Sequence, residues 1–415
     1  MPRRARLHSL REQRPLFVLV SSVTLAVLLA WPLFDYWLRL VGVAPQFRFW
    51  DFGVYGGTVN RWLEGGPLYV RNDSGGYHGS YLYPPLGVLL FAPFVEAFPS
   101  SYAAVAWEAF SVGALWVGLQ LVCAAAGFEL RGGERLVLLW ALFGFQPLLF
   151  GVKMGQTPAF LTALLCVAFA APVLAGRRWG DRVAGVATAV VGTLKLVYAP
   201  AGAFLLRRRR RLAWAVVTGL GLVAVSVAVF GVEAHRAYLG VLRWGIETGG
   251  KSRSPKLWMV AYYRPLYAVP GKTLLRVGGG LVIAALAVLA TGDADREAFA
   301  AGVASIPLLA PQTYTYYHVA LLPAAVVLLA VELERPDGRP TLVPVGVLLA
   351  HAHAYGLGAL AAVLPAWVPP SSAFAPLLAL IQPGLWGNLL LVTLATRRLA
   401  QRVEWNAVRS ALPVV

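Results

Sequence analysis

Apolar runs about as long as a bilayer is thick recur from one end of this chain to the other, and that recurrence constrains the fold more than any single motif. A helix needs about 20 apolar residues to cross the hydrocarbon, and only helices and closed barrels satisfy their backbone hydrogen bonds there. Runs at 16–41, 84–99, 101–126, 135–152, 156–175, 183–206, 212–232, 274–291, 297–311, 314–332, 341–365 and 374–395 meet or approach that length. The expectation is an all-α polytopic membrane protein of about twelve transmembrane helices, one integral membrane domain over residues 1–415. The runs 84–99 and 297–311 are short enough to be re-entrant or tilted. Composition agrees: 58% of residues are hydrophobic and 13% charged, where soluble domains run near 45–50% and about 25%. That balance excludes a soluble globular enzyme, a disordered chain and a disulfide-stapled secreted domain.

Arg3, Arg4, Arg6, Arg11 and Arg14 precede the first run, as in a signal peptide. The apolar stretch behind them continues to about Val43, too long for a signal core, so it reads as a retained first membrane helix. Cys123 and Cys166 both lie inside apolar runs and read as small core residues. The net charge is +17, from 36 basic and 19 acidic residues. Such a charge points to nucleic acid in a soluble chain. Here loops that face anionic headgroups account for it, so membrane lipids are expected partners and nucleic acid is not.

Two long stretches interrupt the pattern. Residues 42–83 read as an outer loop with interfacial helices carrying Asp51, and residues 233–273 as a second outer loop, basic and aromatic. Loops this long in a compact protein are usually functional. With an even number of crossings both fall on one side, together with the turn 311–318. Short-loop arginines at 207–211, 335, 339, 397, 398 and 402 favour a cytoplasmic position for both termini. On this count Lys153 lies inside, and Arg177, Arg178 and Arg182 run against the rule on the outside.

Several constellations carry chemistry. Asp51 stands among aromatics in Phe49-Trp50-Asp51-Phe52-Gly53-Val54-Tyr55, just after the first run. A partly desolvated interfacial carboxylate gains basicity and suits a general base; the alternative is an ordinary ion pair with Arg48. Tyr81-Leu82-Tyr83-Pro84-Pro85 marks a helix start at the interface. Gly155-Gln156, preceded by Lys153, puts an amide where an unbonded one is costly. Lys195 lies inside an apolar run, where insertion of its charge costs about 2.5–3.5 kcal/mol, so it wants an anion. That anion is either Glu108 or a substrate phosphate. A straight helix over 183–206 would set Lys195 near mid-depth, too deep for a lipid phosphate unless it snorkels, opens to a cavity or the helix breaks near Pro200. In the second loop Arg253 and Lys256, with nearby hydroxyls, suit phosphate oxygens or plain headgroups. Tyr314-Thr315-Tyr316-Tyr317-His318 opens a late helix, where His318 can donate to a phosphate or bond locally. His351 and His353 are two apart and do not share a helix face. The chain lacks phosphate-loop, dinucleotide, zinc-finger and nucleophile-elbow patterns, so neither a cofactor nor a metal is expected.

Taken in order, Asp-Phe-x-Val-Tyr after the first helix, Tyr-Pro-Pro-Leu, Gly-Gln, Leu-Lys-x-x-x-Pro before an arginine run, and the late aromatic–His turn resemble one family. It is glycosyltransferase family 87, the polyprenyl-phosphate-mannose-dependent mannosyltransferases, which include mycobacterial phosphatidylinositol mannoside mannosyltransferases. The resemblance runs from about residue 49 to 323. It implies the GT-C type of membrane fold with two long outer-face loops. It also implies inverting transfer of a hexose, mannose, from a polyprenyl-phosphate sugar donor to a lipid or glycan acceptor at the outer membrane face. By position, Asp51 matches the family's general base, and Lys195 and His318 match residues near the donor phosphate. Arg253 and Lys256 join them on chemistry alone. Tyr55, Tyr83, Gln156 and Tyr317 complete the expected substrate pocket.

The chemistry suits one carboxylate and several cations. A phosphate leaves as a stable anion and needs no strong acid, unlike the leaving alcohol of glycoside hydrolysis with its paired carboxylates. Positioned donors meet the leaving charge. The competing reading is a transporter or flippase of lipid-linked or anionic substrates, which also uses intramembrane charge. No pseudo-symmetry between the two halves of the sequence supports it.

Overall fold

The computed structural model describes residues 13–42, 44, 46–73, 75–77, 79–249, 262–263, 265–266, 269–310, 313–363 and 382–406. Arg253 and Lys256 therefore lie outside the described residues, with most of the second long loop. Helices account for nearly all of the regular structure. Many begin with a proline in the first turn, where its missing N–H is harmless and its φ already helical: α1 (Pro15–Leu40), α6 (Gln146–Met154), α7 (Pro158–Leu174) and α15 (Pro383–Ala400). Among the described residues, five helices are long and apolar enough to cross a membrane. A sixth span forms if α5 (Gly132–Gly144) and α6, bent by 67° at Phe145, count as one.

The helical body has two chemically distinct ends. One is laced by arginine. Arg14, before α1, donates to the carbonyls of Glu332 and Arg335. Arg211 at the start of α9 (Arg209–Gly249) reaches Asp181 on α8 (Arg177–Leu194) at 2.6 Å and Asp295 on α11 (Asp295–Ala304) at 2.6 Å. Arg398 on α15 meets Glu332 on α13 (Leu321–Glu334) at 2.6 Å, and both side chains are buried. Arg402 meets Glu297 at 2.7 Å. Arg207 closes the end of α10 (Lys272–Leu289) through the carbonyls of Ala287, Ala290 and Gly292. The main apolar core lies beyond this layer, built from α4 (Ser100–Ala125), α7, α8, α11, α13 and α15.

The opposite end carries α2 (Trp50–Leu63) and the short α3 (Val88–Ala97). A second core cluster there joins Phe52, Tyr55, Tyr81, Tyr83, Phe91 and Trp107. The two long stretches meet above it. α9 bends at Gly231, whose φ of 74° is open to glycine, and continues as helix to Gly249. Tyr238 and Trp244 on that extension pack on Tyr69 and Tyr77. The end of the second stretch returns as strand β1 (Tyr262–Tyr263), antiparallel to β2 (Thr313–Tyr314).

Two apolar runs depart from the expected segmentation. Run 84–99 forms a 3-10 turn and the ten-residue α3, which stays at the α2 end: Phe91 stacks on Tyr55, and Phe94 packs on Trp107 and Phe110 in the first turns of α4. Run 183–206 does the reverse. α8 starts among the arginines and ends at Leu194; Lys195 breaks it with extended backbone (φ −152°, ψ 95°), and a 3-10 helix, Leu196–Arg207, leads back to the arginine-rich end. One apparent crossing is a rise and a return with Lys195 at the turn. Arg177, Arg178 and Arg182 thus join the arginine-rich end, and Lys153 leaves it for the α2 end. The short-loop rule no longer has an exception there.

Candidate active site

The site forms where four sequence-distant pieces converge at the α2 end. The first is the start of α2. Phe49 adopts a left-handed conformation (φ 47°) and its N–H donates to the Lys153 carbonyl at 2.9 Å, with the Arg48 N–H donating to the same oxygen at 3.2 Å. This turn directs Asp51, on the first turn of the helix, inward. Arg48 is not its ion-pair partner; that guanidinium stacks over Trp50 at 5.2 Å. The second piece is the end of α6. Gly155 has φ 78°, and a Cβ there would stand 2.6 Å from the Cβ of Phe52. Only glycine lets the two backbones approach this closely. The next residue, Gln156, then donates from Nε2 to Asp51 Oδ2 at 2.6 Å.

The third piece is Tyr83, before the 3-10 turn Pro85–Gly87. Its hydroxyl is a hub. It lies 2.8 Å from Thr157 Oγ1 and 3.4 Å from Gln156 Oε1, and it accepts from Tyr55 at 3.3 Å. The fourth piece is the turn at Lys195, whose Nζ donates to that hydroxyl at 2.7 Å. The ammonium also sits over the rings of Tyr83 at 4.7 Å and Tyr317 at 5.0 Å, an arrangement that stabilises a cation electrostatically. Glu108, the other anion considered for it, is buried on α4 with neither carboxylate oxygen hydrogen-bonded. The ion pair is absent, and the break at Lys195 relieves the depth problem.

The resulting layer has a consistent polarity. Tyr55, Tyr83, Gln156 and Tyr317 are buried, while Asp51 and Lys195 are mostly buried but keep some exposure. One carboxylate and one ammonium are thus open to a ligand above a shell of neutral donors. Burial holds the Asp51 carboxyl above its ordinary range; the Gln156 amide and then the Lys195 charge oppose the rise without cancelling it. Burial, the Tyr83 hydroxyl and the Asp51 charge keep the Tyr55 phenol far from ionisation, so it acts as a neutral donor.

Six of the residues read from sequence therefore meet in one place: Asp51, Lys195, Tyr55, Tyr83, Gln156 and Tyr317. His318 does not join them. It is buried, its Nδ1 lies 2.9 Å from the Thr315 carbonyl, and its ring packs on Tyr263 at 4.4 Å and near His353 at 5.8 Å. This is a neighbouring cluster that ties β1 to the later helices. Thr157 and Tyr316 belong to the site although neither stood out in the sequence; a threonine after Gly-Gln and one more tyrosine in an aromatic run carry little signal of their own. Lys153 and Asp35, paired behind the site at 2.6 Å, were also missed. The rule that singled out Lys195 applies to Asp35, which is ionisable within the run 16–41; Lys153 falls just past the run 135–152 and reads there as a loop residue.

A protein-family model described as glycosyltransferase family 87 matches residues 81–311, over half of the chain. The matched stretch contains Tyr83, Gln156 and Lys195; Asp51, Tyr55 and Tyr317 lie outside it. None of the curated proteins matches significantly. Among solved structures the chain is similar to the crystal structure of ArnT from Cupriavidus metallidurans bound to undecaprenyl phosphate, with 15% identity over 94% of this chain and 77% of that chain, and a TM-score of 0.35.

Proposed function

The chain belongs to glycosyltransferase family 87, and from that premise we propose that it is a GT-C type, polyprenyl-phosphate-sugar-dependent hexosyltransferase with Asp51 as general base. Mannose is the sugar that the sequence motifs imply, and a lipid or glycan hydroxyl the acceptor. The acceptor oxygen attacks the anomeric carbon as its proton passes to Asp51. The bond from that carbon to the phosphate oxygen breaks on the opposite face, and the polyprenyl phosphate leaves as an anion beside Lys195. The product is inverted at the anomeric carbon. A desolvated carboxylate supports the first half, because burial raises its basicity toward the working range. A lysine held by hydroxyl and aromatic faces supports the second, because a preoriented cation meets the leaving charge without reorganising.

The observation that carries this reading is the convergence of Asp51 and Lys195 on one layer from opposite parts of the chain. On the short-loop rule the arginine-rich end is cytoplasmic, with both termini, and the site lies on the outer face of the cell membrane. The described parts of the two long stretches, residues 46–73 and 233–249, then lie over the site, where an acceptor enters; Arg253 and Lys256, outside the described residues, stay donor-side candidates on chemistry alone, and His318, buried against Tyr263, is not one.

One assay tests the reading. Purified protein in detergent, offered polyprenyl-phosphate mannose or glucose and an acceptor glycolipid, should release polyprenyl phosphate and form one new glycosidic bond. Detergent leaves no compartments, so transport is invisible. A protein that binds the donor without turning it over in this assay is better read as a transporter or flippase.

A further inference from the structure

The ion pair Asp35–Lys153 lies outside the shell that touches substrate, yet the segment that carries Lys153 leads to Asp51. Lys153 Nζ and Asp35 Oδ1 are 2.6 Å apart and both side chains are only 3% exposed. Asp35 projects from the last turns of α1 and is also held by Arg39 at 3.1 Å. Arg39 in turn lies over Phe47 at 5.0 Å, and Lys153 over the same ring at 5.7 Å. The backbone of Lys153 receives the N–H groups of Arg48 and Phe49, which set the left-handed turn in front of Asp51. Two residues on, Gly155 lies against Phe52; three residues on, Gln156 holds the Asp51 carboxylate. Residues 153–156 form a rail along which residues 48–52 are laid, and the ion pair bolts that rail to α1.

We propose that Asp35 and Lys153 are positioning residues for the transfer reaction, fixing the place of the Asp51 carboxylate through the backbone of Lys153 and the side chain of Gln156. The inference rests on the reading of Asp51 as the base. A pair kept only for stability is a poor use of two buried charges, because apolar replacements of similar size are often as stable. Here the pair supplies direction: it fixes both the height and the rotation of α6 against α1.

The test uses full-length protein in detergent and the double variant Asp35→Leu with Lys153→Met, which removes the bolt and leaves only the part-exposed Arg39, 21% accessible, without its carboxylate. The expected result is an unchanged melting temperature and donor KM with kcat lowered about 10²-fold, the scale of a 1 Å misplacement of a reacting group. The acid limb of the pH profile should also move to higher pH, as loss of the Gln156 contact removes an influence that lowers the Asp51 carboxyl. The other groups facing Asp51, namely Lys195, Tyr55, Tyr83, Tyr316 and Tyr317, are untouched by these substitutions. Lys153→Arg alone, which keeps a cation in reach of Asp35, should retain most of kcat. Wild-type kcat in the folded double variant, while Asp51→Asn is inactive, overturns the positioning role alone. A fall in kcat that only tracks a lower melting temperature also overturns it, as that is a purely structural effect. An active Asp51→Asn enzyme removes the base reading instead, and with it the premise.

Discussion

Replacing Gly155 by alanine should cripple transfer while the chain still folds. Two terms act at this position. Its φ of 78° lies in the left-handed region, where a side chain costs about 1–2 kcal/mol. The added Cβ would stand 2.6 Å from Phe52 Cβ and 3.0 Å from the Phe52 backbone nitrogen. Ordinary carbon contacts fall at about 3.5–4.0 Å, so the two backbones must part by roughly 1 Å. Overpacking of this kind costs about 1–3 kcal/mol, and the two terms together come to about 2–5 kcal/mol of stability. The strain cannot relax into Gly155 alone, because residues on both sides of it are anchored by Lys153 and Gln156. It relaxes into α2, and Asp51 is the residue next to the displaced Phe52. A displacement of about 1 Å at the base is worth on the order of 10² in rate. Initial rates with radiolabelled donor and acceptor in detergent, beside a thermal melt of the same preparation, separate the two effects. A folded Gly155→Ala protein with kcat within about threefold of wild type would refute the idea that close approach of these backbones aims the carboxylate.

Asp51→Asn should abolish transfer yet leave a protein at least as stable at neutral pH. A carboxyl whose folded pKa is raised costs stability as pH rises from its unfolded to its folded value, and that loss stays at its full size at every higher pH; a melt below wild type at pH 7 contradicts this. For the same reason the wild-type kcat/KM should be lost as pH falls through a point above about 3.9, the ordinary aspartate value, since only the carboxylate accepts the acceptor's proton. Gln156→Leu should raise that point further, and an unmoved limb would remove Gln156 from the account. Lys195→Met should weaken donor binding about 10–100-fold, the worth of a hydrogen bond to a charged group, measured by competition with polyprenyl phosphate; normal affinity would remove Lys195 from the donor site. Glu332→Leu takes two hydrogen bonds from the buried Arg398, which keeps Asp337 as its remaining carboxylate at 2.6 Å, and should cost about 3 kcal/mol of stability, the low end for a broken buried pair, seen as a lower melting temperature with unchanged activity per folded molecule.

Much of the site was legible because membrane chemistry makes polar residues conspicuous. Asp51 among aromatics, a lysine inside an apolar run and a glutamine behind a glycine each stand out against hydrocarbon, and all three meet. Segmentation was less legible. Leu196–Arg207 is as apolar as a continuing α-helix, and hydropathy does not distinguish 3-10 from α. The available signal was the misplaced trio Arg177, Arg178 and Arg182, which already pointed to the arginine-rich end. Run 84–99, short enough in the sequence to be re-entrant, stays at one end because its apolar side chains cover Tyr55, Trp107 and Phe110 rather than lipid alone. His318 looked equivalent to its neighbours in sequence, but the 3-10 helix Thr315–Ala320 turns it toward Tyr263, while Tyr317 faces Lys195.

The reversal at Lys195 has a bearing on any accessibility map of this protein. Run 84–99 does not pass between the two ends of the body, whereas 177–207 passes from the arginine-rich end and back, so the two departures from a count of apolar runs offset each other beyond residue 207. Between residues 100 and 195 they do not, and every connection there is inverted relative to a count of apolar runs. Cysteines placed for membrane-impermeant labelling near residues 128 and 176 should share the compartment of residue 208, and one near residue 154 should not. A fusion series confined to the C-terminal half would agree with simple hydropathy and miss the inversion.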